Sequence, residues 1–301
     1  MEGTQGHQPV LLEEVLQCLA PAGKRVLVDC TIGLGGHAEA ILAAAGDDAS
    51  LIGLDADESN LRLAKDRLAA YGSRVRLFWA NFSELDEVLR QAGVRQIDAL
   101  LADLGVASTQ IDQAQRGMSF TADGPLDMRM DSRLEKTAAD LVNRMEEAEL
   151  ADMIYAYGEE RYSRRIARVI VEAREQNKIE RTLELANLVS RAYPAAVRHA
   201  RRGVHPATRT FQALRIAVND ELGSLDRLLA LVPRVLSIGG RAAIISFHSR
   251  EDRRVKQAFA GWTLTGRANV LSRKVITPRE TEVAANPRSR SAKLRAIERV
   301  S

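Results

Sequence analysis

Three glycines within four positions, Gly33, Gly35 and Gly36, interrupt an apolar stretch that reads Val26-Leu-Val-Asp-Cys-Thr-Ile-Gly-Leu-Gly-Gly-His37. Ahead of them Val26 to Val28 closes on an acid, Asp29; behind them Ala38-Glu-Ala-Ile-Leu-Ala-Ala-Ala45 is a strong helix former. A buried strand, a glycine loop and a helix in that order open a nucleotide-binding βαβ unit. Glycine belongs where the chain turns sharply or where a ligand lies against bare backbone. A second buried strand, Leu51-Ile-Gly-Leu-Asp55, ends in an acid eighteen residues beyond His37. At that spacing a carboxylate is placed to accept both hydroxyls of a ribose. The loop itself is Gly-x-Gly-Gly and lacks the Gly-x-Gly-x-x-Gly spacing that hugs a pyrophosphate. A ribosylated ligand without phosphates fits this pair, with S-adenosylmethionine the candidate; the alternative is a bare strand-to-helix turn.

The alternation continues. Strands are expected at Val26–Cys30, Leu51–Asp55, Val75–Phe78 and Ile97–Asp103, with helices between them, which implies an α/β fold with a parallel, doubly wound sheet. Ligands of such sheets bind at the carboxyl ends of the strands, where Asp29, Asp55, Asn81-Phe82 and Asp103 fall. Phe82 is placed either to lie against an adenine or to join the core. From Leu104 the pattern gives way to a long loop rich in Gly, Asp, Met and Arg, whose Met118, Phe120, Leu126, Met128 and Met130 argue for an ordered segment. Ala138–Tyr157, Glu160–Gln176 and Leu183–Ala192 then read as helices with no strand signal. His205 to Asn219, with the apolar stripe Phe211, Leu214 and Val218, reads as a return to the sheet domain. The expected organisation is a sheet domain in two parts, residues 1–110 and 205–301, around a helical insertion at 111–204.

Charge separates along the chain. The net charge is +3, yet Arg161 to Arg215 carries +9 and Arg267 to Arg299 carries +6, leaving the remainder at −12. Two basic segments in an acidic chain are the footprint of a polyanion-binding face. Arg161-Tyr-Ser-Arg-Arg-Ile-Ala-Arg168 sets cations at helical spacing beside a tyrosine, which suits phosphate contact with a stacking partner. The two cysteines, Cys18 and Cys30, make neither a disulfide framework nor a metal cluster, and the five histidines lack ligand spacing, so no metal is expected. No apolar run approaches the ~20 residues of a membrane span, and the N-terminal residues lack a signal pattern. The expectation is a cytoplasmic protein, monomer or homodimer.

The motifs together resemble one bacterial family, the S-adenosylmethionine-dependent small-subunit ribosomal RNA cytosine-N4 methyltransferases (the MraW/RsmH type). The likeness rests on His7 with Pro9-Val-Leu-Leu-Glu-Glu14, Asp29-Cys-Thr-Ile-Gly-Leu-Gly-Gly-His37, Asp55-Ala-Asp57, Asp103-Leu-Gly-Val-Ala-Ser108 and Asp123-Gly-Pro-Leu-Asp-Met-Arg-Met-Asp131. It continues through Gly158-Glu-Glu-Arg161, His205-Pro-Ala-Thr-Arg-Thr-Phe-Gln212, Ile245-Ser-Phe-His-Ser249 and Asn286-Pro-Arg-Ser-Arg-Ser-Ala-Lys293. The chain departs from the pattern at Ala107, Thr109 and Arg250, where serine, proline and leucine are expected. The resemblance implies a class I methyltransferase fold with an inserted helical domain that recognises substrate. The implied reaction is methylation of the exocyclic nitrogen of one cytidine in the decoding region of 16S rRNA. The cofactor contacts it implies are Gly35, Gly36, His37, Asp55, Phe82, Asp103 and Gln110.

For the chemistry, Asp103 or Ser108 is placed to accept the N–H of the cytosine amino group, with the alternative that Asp103 only binds cofactor. Arg161, Arg165, Arg209 and Arg288 are the candidate phosphate contacts on RNA. Two rivals remain at this point: a nicotinamide-dependent oxidoreductase, which the glycine spacing disfavours, and a non-catalytic RNA-binding assembly factor, which Asp55 and Asp103 disfavour.

Overall fold

Alternate residues of the apolar strands feed two different cores, one on each face of a seven-stranded sheet. The computed structural model describes residues 9–194 and 205–301, apart from the side chains of residues 108 and 109; His7 lies outside them. The strands are β1 (Val26–Asp29), β2 (Ser50–Asp55), β3 (Val75–Trp79), β4 (Ile97–Asp103), β5 (Leu236–Ser246), β6 (Ala268–Val270) and β7 (Lys293–Arg299), in the spatial order β3-β2-β1-β4-β5-β7-β6. The first five are parallel, and β7 runs antiparallel between β5 and β6. Val28, Ile52, Leu100 and Ile244 point to one core; their neighbours Leu27, Leu51, Leu101 and Ile245 point to the other. That period of two, with both faces covered, is why the strands read as continuous apolar runs.

Helices close both faces. On one face lie α1 (Leu12–Leu19), α2 (Gly36–Ala45) and α3 (Glu58–Arg67), through residues such as Val15, Ile41 and Ala64. On the other lie α4 (Leu85–Gln91), the helix Glu221–Val235 through Leu228 and Val232, and the helix Ser249–Leu264 through Val255 and Phe259. Gly239 and Gly240 lie within β5. The register slips between Ile97 and Ala99 of β4, Leu236 and Arg241 being their partners, and Gly239 takes φ 75°. The glycines therefore make a bulge, and the strand begins earlier than its apolar run.

Packing divides the chain into two units: residues 1–105 with 222–301, and 106–221. The second is helical: α5 (Ser108–Asp112), α6 (Ala138–Arg144), α7 (Glu147–Gly158), α8 (Ser163–Arg174), α9 (Thr182–Ala192) and α10 (Thr208–Asn219). The helices Glu221–Val235, Ser249–Leu264 and Glu280–Ala285 are then α11, α12 and α13. The sequence gives one helix over Ala138–Tyr157; the structure breaks it at Met145 and Glu146, both extended. The break has a tertiary cause: the Arg174 guanidinium donates to the carbonyls of Val142 and Met145 and ends α6. The stripe of α10 also differs from the sequence reading, since Phe211, Leu214 and Val218 belong to the helical core.

The Met-rich loop is built into the same core. Leu126 and Met128 are buried, and the Asn219 amide donates to the Met128 carbonyl and accepts from the Met130 N–H. Gly158 marks a close approach of α7 to α10, since a Cβ there would stand 2.5 Å from the carbonyl oxygen of Arg209. Gly158→Ala is expected to destabilise the protein by about 2 kcal/mol, as overpacking does, seen as a lower urea midpoint at unchanged slope.

Candidate active site

The strand order reverses between β1 and β4, and the acids meet at the carboxyl ends around that point, where open α/β sheets bind ligands. β1 ends in Asp29, which accepts the Thr31 N–H at 3.1 Å and is 1% exposed. The loop then turns through Gly35, whose N–H donates to the Ile32 carbonyl at 2.7 Å and whose φ of 79° favours glycine, and α2 begins at Gly36. Asp55, at the tip of β2, is tied to that loop. Its Oδ2 accepts the Gly33 N–H at 2.9 Å, its Oδ1 accepts the Asp57 N–H at 2.8 Å, and the Asn60 amide donates from 3.3 Å. Both carboxylate oxygens are thus held in one orientation, by the two backbone N–H groups and by the Asn60 amide, which lies 3.3 Å from each.

Asp103 ends β4, and its N–H donates to the Thr31 hydroxyl at 2.7 Å. Thr31 escaped the sequence reading; a hydroxyl residue inside a glycine loop was the available signal. His37, in the first turn of α2, lies 3.8 Å through Nδ1 from Asp103 Oδ2 and donates through Nε2 to the Val10 carbonyl at 2.9 Å. Phe82 opens a short 3-10 turn capped by Asn81, two residues beyond the end of β3, and packs half-buried against the sheet core. Gly35, Gly36, His37, Asp55 and Asp103 therefore converge on this end of the sheet. Gln110 belongs to the helical unit, where it is buried and its side-chain oxygen accepts the Ala107 N–H at 3.1 Å. The side chain of Ser108 lies outside the described residues.

Electrostatics at this end favour a cation. Burial pushes the Asp29 carboxyl up to about 6, partly offset by His37, with Asp103 and Asp55 raising it further. Burial likewise pushes Asp55 up to about 6 against the pull of the Asp57 and Gly33 N–H groups. A pyrophosphate brought to these carboxylates would be repelled, whereas a sulfonium or ammonium group would relieve their mutual repulsion. The donor set fits S-adenosylmethionine in kind: acceptors for hydroxyls, bare glycine backbone, and acids beside a positive charge.

The candidate RNA contacts fall in both units. Arg161 is exposed and stacks over the Tyr162 ring at 4.7 Å, and Arg165 is exposed on α8. Arg209 is exposed and donates to the Glu159 carbonyl at 2.9 Å. Arg288 is exposed in the 3-10 turn Pro287–Ser291 of the sheet unit. The polar Phe-His-Ser tip beyond β5 is a helix cap, His248 and Glu251 forming a capping box on α12. Among the described residues no helix is long and apolar enough to cross a membrane.

A model described as the MraW methylase family matches residues 4–300. A protein named Ribosomal RNA small subunit methyltransferase H from Syntrophobacter fumaroxidans is 50% identical, over 97% of this chain and 96% of its own. One of the same name from Geobacter sulfurreducens is 48% identical, over 99% of this chain and 100% of its own. A solved structure from Clostridium thermocellum covers 98% of this chain and 100% of its own with a TM-score of 0.50, and at 10% identity it speaks to the fold alone.

Proposed function

The chain belongs to the MraW methylase family, and on that premise we propose that it methylates the exocyclic N4 of one cytidine in the decoding region of 16S rRNA, with S-adenosylmethionine as donor. It is an rRNA methyltransferase whose sheet unit has the class I methyltransferase fold. The observation that supports a methyl-transfer site is the gathering of Asp55, His37 and Asp103 at the strand ends around the glycine loop; the choice of cytidine N4 rests on the motifs shared with that family.

When bound, S-adenosylmethionine supplies a methyl group on a sulfonium, ready for in-line displacement. Asp55 would hold the ribose, Gly35, Gly36 and His37 would face the amino-acid end, and Phe82 would lie beside the base. The cytosine amino nitrogen is a poor nucleophile because its lone pair is delocalised into the ring, so orienting it within about 3–3.5 Å of the methyl carbon is the main task of the site. Asp103 accepts one N–H of that amino group and fixes its direction; Ser108 is the second candidate acceptor. The proton leaves after the methyl group arrives, so Asp103 acts as an orienting acceptor more than as a strong base.

The helical unit serves as the substrate-recognition domain, and the protein works in the cytoplasm on the small subunit or its assembly intermediates. Arg161, Arg165, Arg209 and Arg288 hold phosphates while the base is turned out or caught unpaired. Replacing any one of these arginines by alanine is expected to flatten the plot of log binding constant against log salt by about 0.7–0.9, the value of one phosphate contact. Salt-titrated binding to small subunits reads this directly.

The test of the reaction is methyl transfer from labelled S-adenosylmethionine to small subunits lacking the modification, followed by identification of the labelled nucleoside. Label on cytosine N4 supports the reading. Tight cofactor binding with label on another nucleoside would move the substrate and keep the enzyme.

A further inference from the structure

The residues just ahead of α1 are held by groups far away in the chain. Leu11 has φ 54° and ψ 37°, the left-handed region that a leucine adopts only under constraint. Its N–H donates to Glu282 Oε1 of α13 at 2.8 Å, across 271 positions. Arg279, the residue before α13, reaches Glu13 at 3.7 Å and Glu14 at 3.3 Å. On the other side, the Val10 carbonyl accepts the His37 Nε2–H, which leaves Nδ1 facing Asp103. Pro9 presses on the same turn of α2, since a Cβ on Gly36 would stand 2.7 Å from its Cγ. Pro9 to Leu11 is thus a strap from α13 to the turn that carries Gly36 and His37. Beyond α13 the chain enters the turn Pro287–Ser291, where buried Ser289 leaves Arg288 and Arg290 exposed.

We propose that Glu282 is a positioning residue for methyl transfer: it holds the strap over α2 so that the Val10 carbonyl fixes the His37 ring at the cofactor's edge. The same contact sets the glycine loop and the arginine-bearing turn as one unit. The inference rests on the reading of that loop as the S-adenosylmethionine site. The purely structural alternative is a carboxylate placed at the N-terminus of α1, where it favours the helix dipole. A cap of that kind changes stability and leaves cofactor use unchanged.

Steady-state kinetics of the full chain on unmodified small subunits separates the two. Glu282→Ala is expected to raise KM for S-adenosylmethionine about tenfold with kcat within about twofold, the pattern of lost binding in ground and transition states alike. Hydrogen exchange at the Leu11 amide should accelerate in the same variant. Glu282→Gln, whose amide oxygen still accepts the Leu11 N–H, should return KM to within about threefold of the wild type. An unchanged KM in Glu282→Ala overturns the proposal, and so does a Glu282→Gln enzyme as impaired as Glu282→Ala, because charge and not position would then be the cause. Calorimetric titration of the wild type with cofactor alone keeps the failures apart: no binding there would overturn the cofactor reading itself.

Discussion

Asp55→Asn is expected to bind S-adenosylmethionine about 100-fold more weakly than the wild type, since hydrogen bonds to a charged acceptor contribute roughly 1.5–3 kcal/mol each and two are weakened. The Asp55 oxygens already take the Gly33 and Asp57 N–H groups, one on each oxygen. An asparagine supplies one oxygen and must turn its NH₂ toward one of those donors, so it loses the site's geometry as well as its charge. Titration with cofactor alone measures the loss, and a dissociation constant within about threefold of the wild type would remove Asp55 as the ribose ligand. A pH effect accompanies it. Asp29 and Asp55 have carboxyls pushed to about 6 in the folded protein, above the ordinary 3.8, so the folded state binds more protons between those values. Their contribution to apo-protein stability therefore improves as pH falls from about 6 to about 4, the reverse of a salt-bridged aspartate. Cofactor affinity should fall over the same range, because the ribose hydroxyls donate to Asp55 in its ionised form.

The sheet was legible because its signals are local. Leu27 and Val28, Leu51 to Leu54 and Ala99 to Ala102 are apolar runs buried on both faces, and each closes on an acid at the end where such sheets bind ligands. That placed Asp55 and Asp103 before any geometry was known. What escaped the sequence depends on distant residues. The end of α6 is made by Arg174, the bulge at Gly239 by register against β4, and β6 is a three-residue strand that forms only because β7 lies beside it. Helix α10 looked like part of the sheet domain because an apolar stripe names a buried face without naming its partner. The motif alone singled out His37, as what the resemblance implies. Its attachment to Val10, and Val10's neighbour to Glu282, joins the two ends of the chain, and no period or spacing encodes that.

Asp103→Asn is expected to lower kcat about 100-fold or more while the cofactor dissociation constant stays within about threefold, the size of effect that misplacing an attacking group produces. The backbone at this position is held independently of the side chain, by the Thr31 hydroxyl and by pairing of Asp103 with Ile245 on β5. The amide therefore keeps the fold and the volume and changes what the group offers. A carboxylate accepts an N–H from either oxygen, whereas an amide can present its own N–H to the cytosine amino group, donor against donor. The lone pair that must attack is delocalised into the ring, so an amino group held in the wrong rotation loses its overlap with the methyl carbon even at the right distance. Single-turnover kinetics with pre-bound cofactor isolates this step from product release. A variant that binds cofactor normally and keeps full turnover would assign Asp103 to structure alone. One that loses cofactor binding and turnover together would assign it to the cofactor's positive end, beside His37, and leave Ser108 as the acceptor of the amino hydrogen.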